Sequence, residues 1–385
     1  MEEELHRRHC LFFLELAEAA NPNLHRGGQA EWLRRLDADY DNLRAALGWA
    51  LRQRAEQDLT TGMRLAVALA PFWNLRAAYL EGRSWLTDFL ARTDPAPTAL
   101  RARALYGVGE LAMFQMDYPP ARSSLEQSVA MFQALGDPAG MAYPRIYLAY
   151  LLFVEGESDL AFSLWDACAK HFRSAGDSWG LAWTLSFLGR AARDTGDFEA
   201  NRIYNHEAAV LLRSIGDRFA LSIVVSHLGL SDYRQRDYQA ARAQFEYRVA
   251  VGRDLASKGL LATPTVWLGF TALAEDDLAV AAGLFREALT LARPVGLDGR
   301  LLQALEGLAA VAQRRGTLKR AARLWAARQA FISAWKILLP PESHLDAARE
   351  ISDLRAGLGE ASFAAAWSEG SNMDLDQVLE EAFAI

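Results

Sequence analysis

Arg190 and Arg193 stand one helical turn apart among apolar neighbours, a spacing that lets two guanidinium groups grip a carboxylate or phosphate in bidentate fashion. Aromatic residues accompany them at related positions. Tyr143, Ile146, Tyr147, Tyr150 and Phe153 lie upstream, Trp183 and Phe187 beside the arginines, and His227, Tyr233, Trp267 and Phe270 downstream. Arg103, Glu110 and Phe114 extend the series towards the start. Rings and arginines with a few acids are the residue types of binding hot spots. The competing reading is that some rings pack between successive elements and complete the core.

Other combinations point to chemistry less well. His6, His9 and Cys10 fall within about one turn but lack an acidic or cysteine partner motif, so the expectation is two surface histidines and no metal. Gly107-Val108-Gly109 lacks a third glycine and follows no strand, which excludes a dinucleotide loop. No Gly-x-Ser-x-Gly elbow occurs, and Cys168 falls where a small core residue is expected. The residues predict no cofactor and no catalysis, with a helical enzyme lacking a local motif as the remote alternative.

The elements that position the rings repeat. Gly-Asp pairs at 136–137, 176–177 and 216–217 set a period of 40 residues. At that period Val108, Leu148, Leu188, Leu228, Leu268 and Leu308 align, each followed by a small residue: Gly109, Ala149, Gly189, Gly229, Gly269, Ala309. A second small column holds Ala121, Ala161, Ala241, Ala281 and Ala321, with Asn201 the exception. Four residues on come Leu125, Trp165, Phe245, Phe285 and Trp325, with Asn205 the exception. Each unit reads as two helices, because apolar residues recur at three- and four-residue steps between start and stop signals. In one unit Asp137 caps a helix with Pro138 in its first turn, Gly156 ends it, and a second helix begins near Ser158 or Asp159 and ends before Gly176. Asp117, Asp197, Asp237, Asp277 and Thr317 are the matching caps of the second helices.

Small residues on both helices let the backbones approach, and the large residue a turn further on fills the space beside them. Such a unit has two apolar faces and must stack on its neighbours. The expected fold is all-α, a curved solenoid of helical hairpins. Leu in place of Gly229 or Ala241 is expected to cost about 1–3 kcal/mol by overpacking.

The columns resemble the tetratricopeptide repeat: Leu228-Gly229, Ala241 and Phe245 match it, as do Ala208 and Ala288 in other units. The period of 40 departs from the usual 34, and Gly-Asp replaces the proline after the second helix. HEAT repeats share the longer period and are the alternative. The expected organisation is a non-repeat helical segment over 1–60, an irregular helix pair over 61–97, six repeats over 98–340 and capping helices over 341–385. Pro340-Pro341 would end the array, and Ser343 with Asp346 and Asp374 with Gln377 would form capping boxes.

A narrower resemblance rests on Asp41-Asn42-Leu43-Arg44-Ala45-Ala46-Leu47, on Pro71-Phe72-Trp73, on Glu81-Gly82-Arg83-Ser84-Trp85-Leu86 and on Ala366-Trp367-Ser368-Glu369-Gly370. These look like the tetratricopeptide region of bacterial LuxR-type and AfsR-like STAND ATPase transcriptional regulators. The resemblance implies an attached ATPase and DNA-binding domain, neither of which has its motif here: there is no G-x-x-x-x-G-K-[ST] loop and no basic helix-turn-helix. It implies a sensor module coupled to those domains. If Leu148, Ala149 and Leu152 face the second helix of their unit, the register of the first helices turns Tyr143, Tyr150, Phe153, Trp183, Phe187, Arg190, Arg193, Tyr233, Trp267 and Phe270 toward the concave groove of the solenoid, where a small effector or protein partner is expected to bind. The alternative is a stand-alone scaffold docking a peptide or helix.

Composition agrees with a folded module. The 385 residues are 51% hydrophobic and 23% charged, with a formal charge of −7 that disfavours direct binding to nucleic acid or an anionic membrane. The longest apolar runs, 65–73 and 146–154, are far short of the roughly 20 residues a membrane-spanning helix needs. The acidic Met1-Glu2-Glu3-Glu4 start is unlike a secretory signal, and two cysteines make no disulfide framework, so a cytoplasmic location is expected.

Overall fold

Residues 2–335 and 346–385 are described by a computed structural model. Among them the chain forms twenty α-helices and two short 3-10 helices, and no strand. The expected helix end at Pro340-Pro341 and the capping role of Ser343 lie outside the described residues.

The first helices are α1 (Glu2–Ala20), α2 (Gln29–Ala38), α3 (Tyr40–Arg52), α4 (Glu56–Arg76) and α5 (Tyr79–Arg92). Hairpins follow: α6 (Ala99–Gln115) with α7 (Tyr118–Ala134), α8 (Pro138–Val154) with α9 (Ser158–Ala175), and α10 (Ser178–Asp194) with α11 (Phe198–Ile215). Three more are α12 (Arg218–Arg234) with α13 (Tyr238–Asp254), α14 (Lys258–Ala274) with α15 (Leu278–Ala292), and α16 (Asp298–Arg314) with α17 (Leu318–Trp335). The chain closes with α18 (Ala347–Leu358), α19 (Glu360–Ser371) and α20 (Leu375–Phe383). Two compact units divide these helices. The first runs through His227 and includes Val251–Ser257; the second holds Leu228–Ala250 and everything from Lys258 onward.

The capping aspartates act as their side chains require. Asp137, Asp177, Asp197, Asp217, Asp237 and Asp277 each accept from the backbone N–H three residues on, at 2.8 to 3.1 Å. Asp117 does not cap. The residues that would offer amides are Pro119 and Pro120, which have no N–H, and Asp117 pairs instead with Arg83 at 2.8 Å. Thr317 turns its hydroxyl back to the carbonyl of Ala312, at 2.9 Å. At the far end Asp374 and Gln377 form a complete capping box.

The backbone repeats where the sequence does not. Left-handed residues occur at Met116, Gly156, Gly196, Arg236, Asp276 and Gly316, and again at Gly136, Gly176, Gly216, Ala256 and Gly296. Both series keep the 40-residue period, so the chain turns the same way at Met116, Arg236, Ala256 and Asp276 without glycine.

Small and large columns meet as complementary shapes. A Cβ on Gly109 would lie 2.6 Å from Leu125, on Gly229 2.9 Å from Phe245, and on Gly269 2.7 Å from Phe285. The two asparagine exceptions fill the same places with polar atoms. Buried Asn201 donates to the carbonyl of Gly189 at 2.7 Å, and Asn205 lies so close that a Cβ on Gly189 would sit 2.3 Å from its amide.

Within the first unit, α1 packs on α3 and α4. The segment after α1 then leaves that bundle: Asn21 donates to Ala68 of α4 at 2.9 Å, and six residues later the amide of Gly27 donates to Ile215 at the end of α11, at 3.0 Å. The C-terminal end of α4 is tied as well. Arg76 donates to the carbonyls of Leu255 and Ala256, and Ser257 donates to Leu75. The first helices are thus fastened at two places to later turns of their own unit.

Candidate functional site

A cleft of about 1270 Å³ opens in the first unit, where residues of α1 and α4 and the 21–26 segment face α6, α8 and the start of α10. The helical period decides what α6 presents. Arg103, Tyr106, Gly107 and Glu110 are spaced i, i+3, i+4, i+7 and share one face along the cleft. From α8 come Tyr143 and Pro144; Asp177, Ser178 and Trp179 come from the start of α10, and His25 and Arg26 from the segment after α1.

Three half-buried rings form one wall: Tyr143 lies 6.2 Å from Tyr106 and 5.8 Å from Trp179, centroid to centroid. Each has a polar anchor. Tyr143 donates its hydroxyl to Asp177, and Trp179 donates to Asp217 at 2.8 Å. Tyr106 donates to Glu110 at 2.7 Å, and buried Tyr147 donates to the same Glu110 oxygen at 2.8 Å. Burial pushes the Glu110 carboxyl up from its usual value, towards the neutral form, against the two hydroxyl bonds that favour the charged one. The same burial, with Glu110 adjacent, raises both phenols. Trp183 completes the network by donating to the Tyr147 hydroxyl at 3.0 Å.

Of the residues the sequence singles out, Arg103, Glu110 and Tyr143 line this cleft. Tyr150, Trp183 and Phe187 are buried beside it, with Phe187 5.5 Å from Tyr147 and from Tyr150 and 5.8 Å from Trp183. Arg190 lies with its guanidinium 4.3 Å over the Tyr150 ring. Phe153 packs on Phe162 and Trp165. Arg193 is fully buried, paired with Asp194 at 2.8 Å. Tyr233, Trp267 and Phe270 belong to the second unit, where Trp267 and Phe270 are buried and Tyr233 sits 5.4 Å from Trp267.

Sequence reasoning missed Tyr106, Trp179, His25 and Asp217. Trp179 stood in reach, one turn before Trp183 on the same helix face, and Tyr106 stood one turn before Glu110. His25 belongs to a segment with no repeat to align, so nothing in its spacing marks it.

His6 and His9 lie on α1 against Trp49 and Phe13, and among the described residues no three His, Cys, Asp or Glu side chains converge as a metal site would require. The Cys10 and Cys168 thiols are buried and pushed up to about 11, which keeps them protonated. Among the described residues no helix is long and apolar enough to cross a membrane.

The class that follows is an all-α, tetratricopeptide-like protein of repeated helical hairpins. Comparison with known proteins agrees. The crystal structure of a Rap protein complexed with Competence and Sporulation Factor superposes with a TM-score of 0.60 over 96% of this chain and 99% of that one, at 12% identity, a likeness of fold alone. Two proteins provisionally named HTH-type transcriptional regulators, from Mycobacterium bovis and Mycobacterium tuberculosis, are each 29% identical over 214 residues, 54% of this chain. The match spans about a quarter, 24%, of those relatives' own length. No protein-family model matches the chain.

Proposed function

We propose that this chain is the non-catalytic sensor module of a bacterial transcription regulator and that it takes a small effector in the cleft of its first unit. The observation that carries the reading is the half-buried ring wall of Tyr106, Tyr143 and Trp179 beside a buried carboxyl. Pockets of this kind, mostly apolar with a few converging polar groups, are the usual sites for small ligands. The named regulators that resemble the chain are far longer than the matched region, which supports a module working with further domains. A STAND-type ATPase and a DNA-binding domain are the domains proposed, with 1–60, 61–97, 98–340 and 341–385 as the parts of this chain. Arg190 and its neighbours around Tyr150 form a second contact region in the same proposal.

The test is a thermal-shift screen of metabolites and short peptides on the wild type and on Ala139→Trp. Ala139 is exposed at the cleft, so a large side chain there fills the site without entering the core. A ligand present at about 100 times its Kd adds about 2.7 kcal/mol to the folded state. Compounds that raise the Tm of the wild type and leave the variant unmoved support the reading; compounds that raise both equally place binding elsewhere and overturn it. The stand-alone scaffold is favoured by one fact, the likeness over 96% of this chain to a protein solved in complex with Competence and Sporulation Factor. A long peptide or helix that binds the Trp variant undiminished would select it.

A further inference from the structure

The charged groups around the cleft are unequally engaged. Its acids all have partners: Glu18 holds Arg64 at 2.7 Å, Asp137 and Asp177 cap helices, and Glu110 receives Tyr106 and Tyr147. Two of its cations do not. Arg26 and Arg103 are exposed at the cleft and make no side-chain hydrogen bond or ion pair among the described residues. Arg103 lines the cleft from the same face of α6 as Tyr106, one turn away, so the two side chains leave the helix as neighbours. At the inner end of that face, seven residues or roughly 10 Å further along the helix, lies Glu110. Because burial favours its neutral form, the floor does not oppose an anion as an ionised carboxylate would.

We infer that the cleft recognises an aromatic carboxylate, its ring against Tyr106, Tyr143 and Trp179 and its carboxylate held by Arg103 and Arg26. This rests on the reading of the cleft as a ligand site and adds the ligand's chemistry. A guanidinium gives two parallel N–H donors to a carboxylate, and stacked or edge-on rings attract beyond their buried area. Neither feature is matched by an aliphatic amine or by a neutral sugar. The same chemistry comes from two sources, an aryl-alkanoic acid and a peptide ending in an aromatic residue, and the 1270 Å³ cleft has room for either.

Isothermal titration of the whole chain with two probe pairs tests the inference. One pair is indole-3-acetate and indole-3-acetamide; the other is acetyl-Ala-Ala-Trp as the acid and as its C-terminal amide. In the wild type one acid should bind at least about tenfold more tightly than its amide, as loss of a charge-assisted bidentate contact predicts. In the double variant Arg26→Ala, Arg103→Ala that preference should fall below about threefold while circular dichroism stays unchanged, since both side chains are exposed. Which pair responds identifies the source. Equal binding of acid and amide, a preference that survives the double variant, or no binding of either acid overturns the inference. If acid and amide bind equally and both are blocked by Ala139→Trp, the cleft remains a ligand site and only the carboxylate assignment falls.

Discussion

Gln29 and Asp217 lie 188 residues apart in the chain and meet at 2.7 Å, both fully buried. The Gln29 amide is used in full: its nitrogen also donates to Leu24, and its oxygen accepts from the backbone amides of Arg218 and Phe219 at 3.1 and 3.2 Å. A side chain from the non-repeating start of the protein therefore caps the first turn of α12, together with the helix's own Asp217. It also fixes the carboxylate that holds Trp179 in the cleft wall.

Gln29→Ala should accordingly destabilise the first unit by about 1–3 kcal/mol, the cost of leaving buried polar groups without partners. Gln29→Glu should cost more, because it places a second carboxylate against Asp217. Urea unfolding curves give both values, with Arg202→Ala as a reference: its pairing with Glu199 is exposed and should be worth little. A Gln29→Ala curve that overlays the wild type would refute the role.

Arg236 offers the reverse case, a substitution that should stabilise. It adopts φ 66° in the turn between α12 and α13, where the repeating units at Gly156, Gly196 and Gly316 use glycine. The left-handed conformation costs an L-residue about 1–2 kcal/mol, partly offset by the larger entropy glycine loses on folding. Arg236→Gly should gain up to about 1 kcal/mol, whereas Arg234→Gly, two residues earlier at the end of α12, should lose stability. Melting curves that move both variants down would show that the turn is unstrained.

The hairpins were legible because their determinants are local. A cap, a small residue and a large residue a turn further on recur every 40 residues, and the helices at 138–154 and 158–175 fall where those signals place them. The Asp117 cap was misread for an equally local reason, the two prolines that follow it. What spacing does not carry is contact across the chain. Register puts Tyr143, Tyr150 and Trp183 on related faces, but it does not tell that Tyr143 stays at a cleft while Tyr150 and Trp183 go under neighbouring rings. That difference is made by the 21–29 segment and by Tyr147, Phe187 and Trp179, and the segment has no periodic signal.

Arg193 and Arg190 look equivalent in sequence and should behave differently when removed. Arg193 is fully buried against Asp194, whose side chain is 2% exposed. Arg193→Ala leaves that carboxylate in the interior and should cost about 3–5 kcal/mol; adding Asp194→Ala should recover part of the loss. Arg190→Ala removes a guanidinium from the face of Tyr150 and should cost about 0.5–2 kcal/mol. Equilibrium unfolding of the three variants checks the order. Ligand binding by an Arg190 variant is therefore readable, whereas Arg193→Ala needs its stability measured first. Equal losses for the two single variants would contradict the burial difference.

Glu110 should give the fold a pH dependence of predictable sign. Its carboxyl is raised above the ordinary 4.5 by burial, so the folded chain holds this proton more tightly than the unfolded one. The stabilising contribution is complete below about 4.5, declines as pH rises through the folded value, and is absent above it. Glu110→Gln cannot ionise and still offers an oxygen to Tyr106 and Tyr147. The stability of the wild type relative to this variant should therefore fall as pH rises above about 4.5, with a slope of at most about 1.4 kcal/mol per pH unit, and then level off. Tyr147→Phe removes one hydroxyl that favours the charged form, so it should extend the falling range to higher pH. Urea unfolding of the three proteins across that range makes the comparison, and a wild-type minus Glu110→Gln difference that does not change with pH would mean the carboxyl titrates no differently when folded.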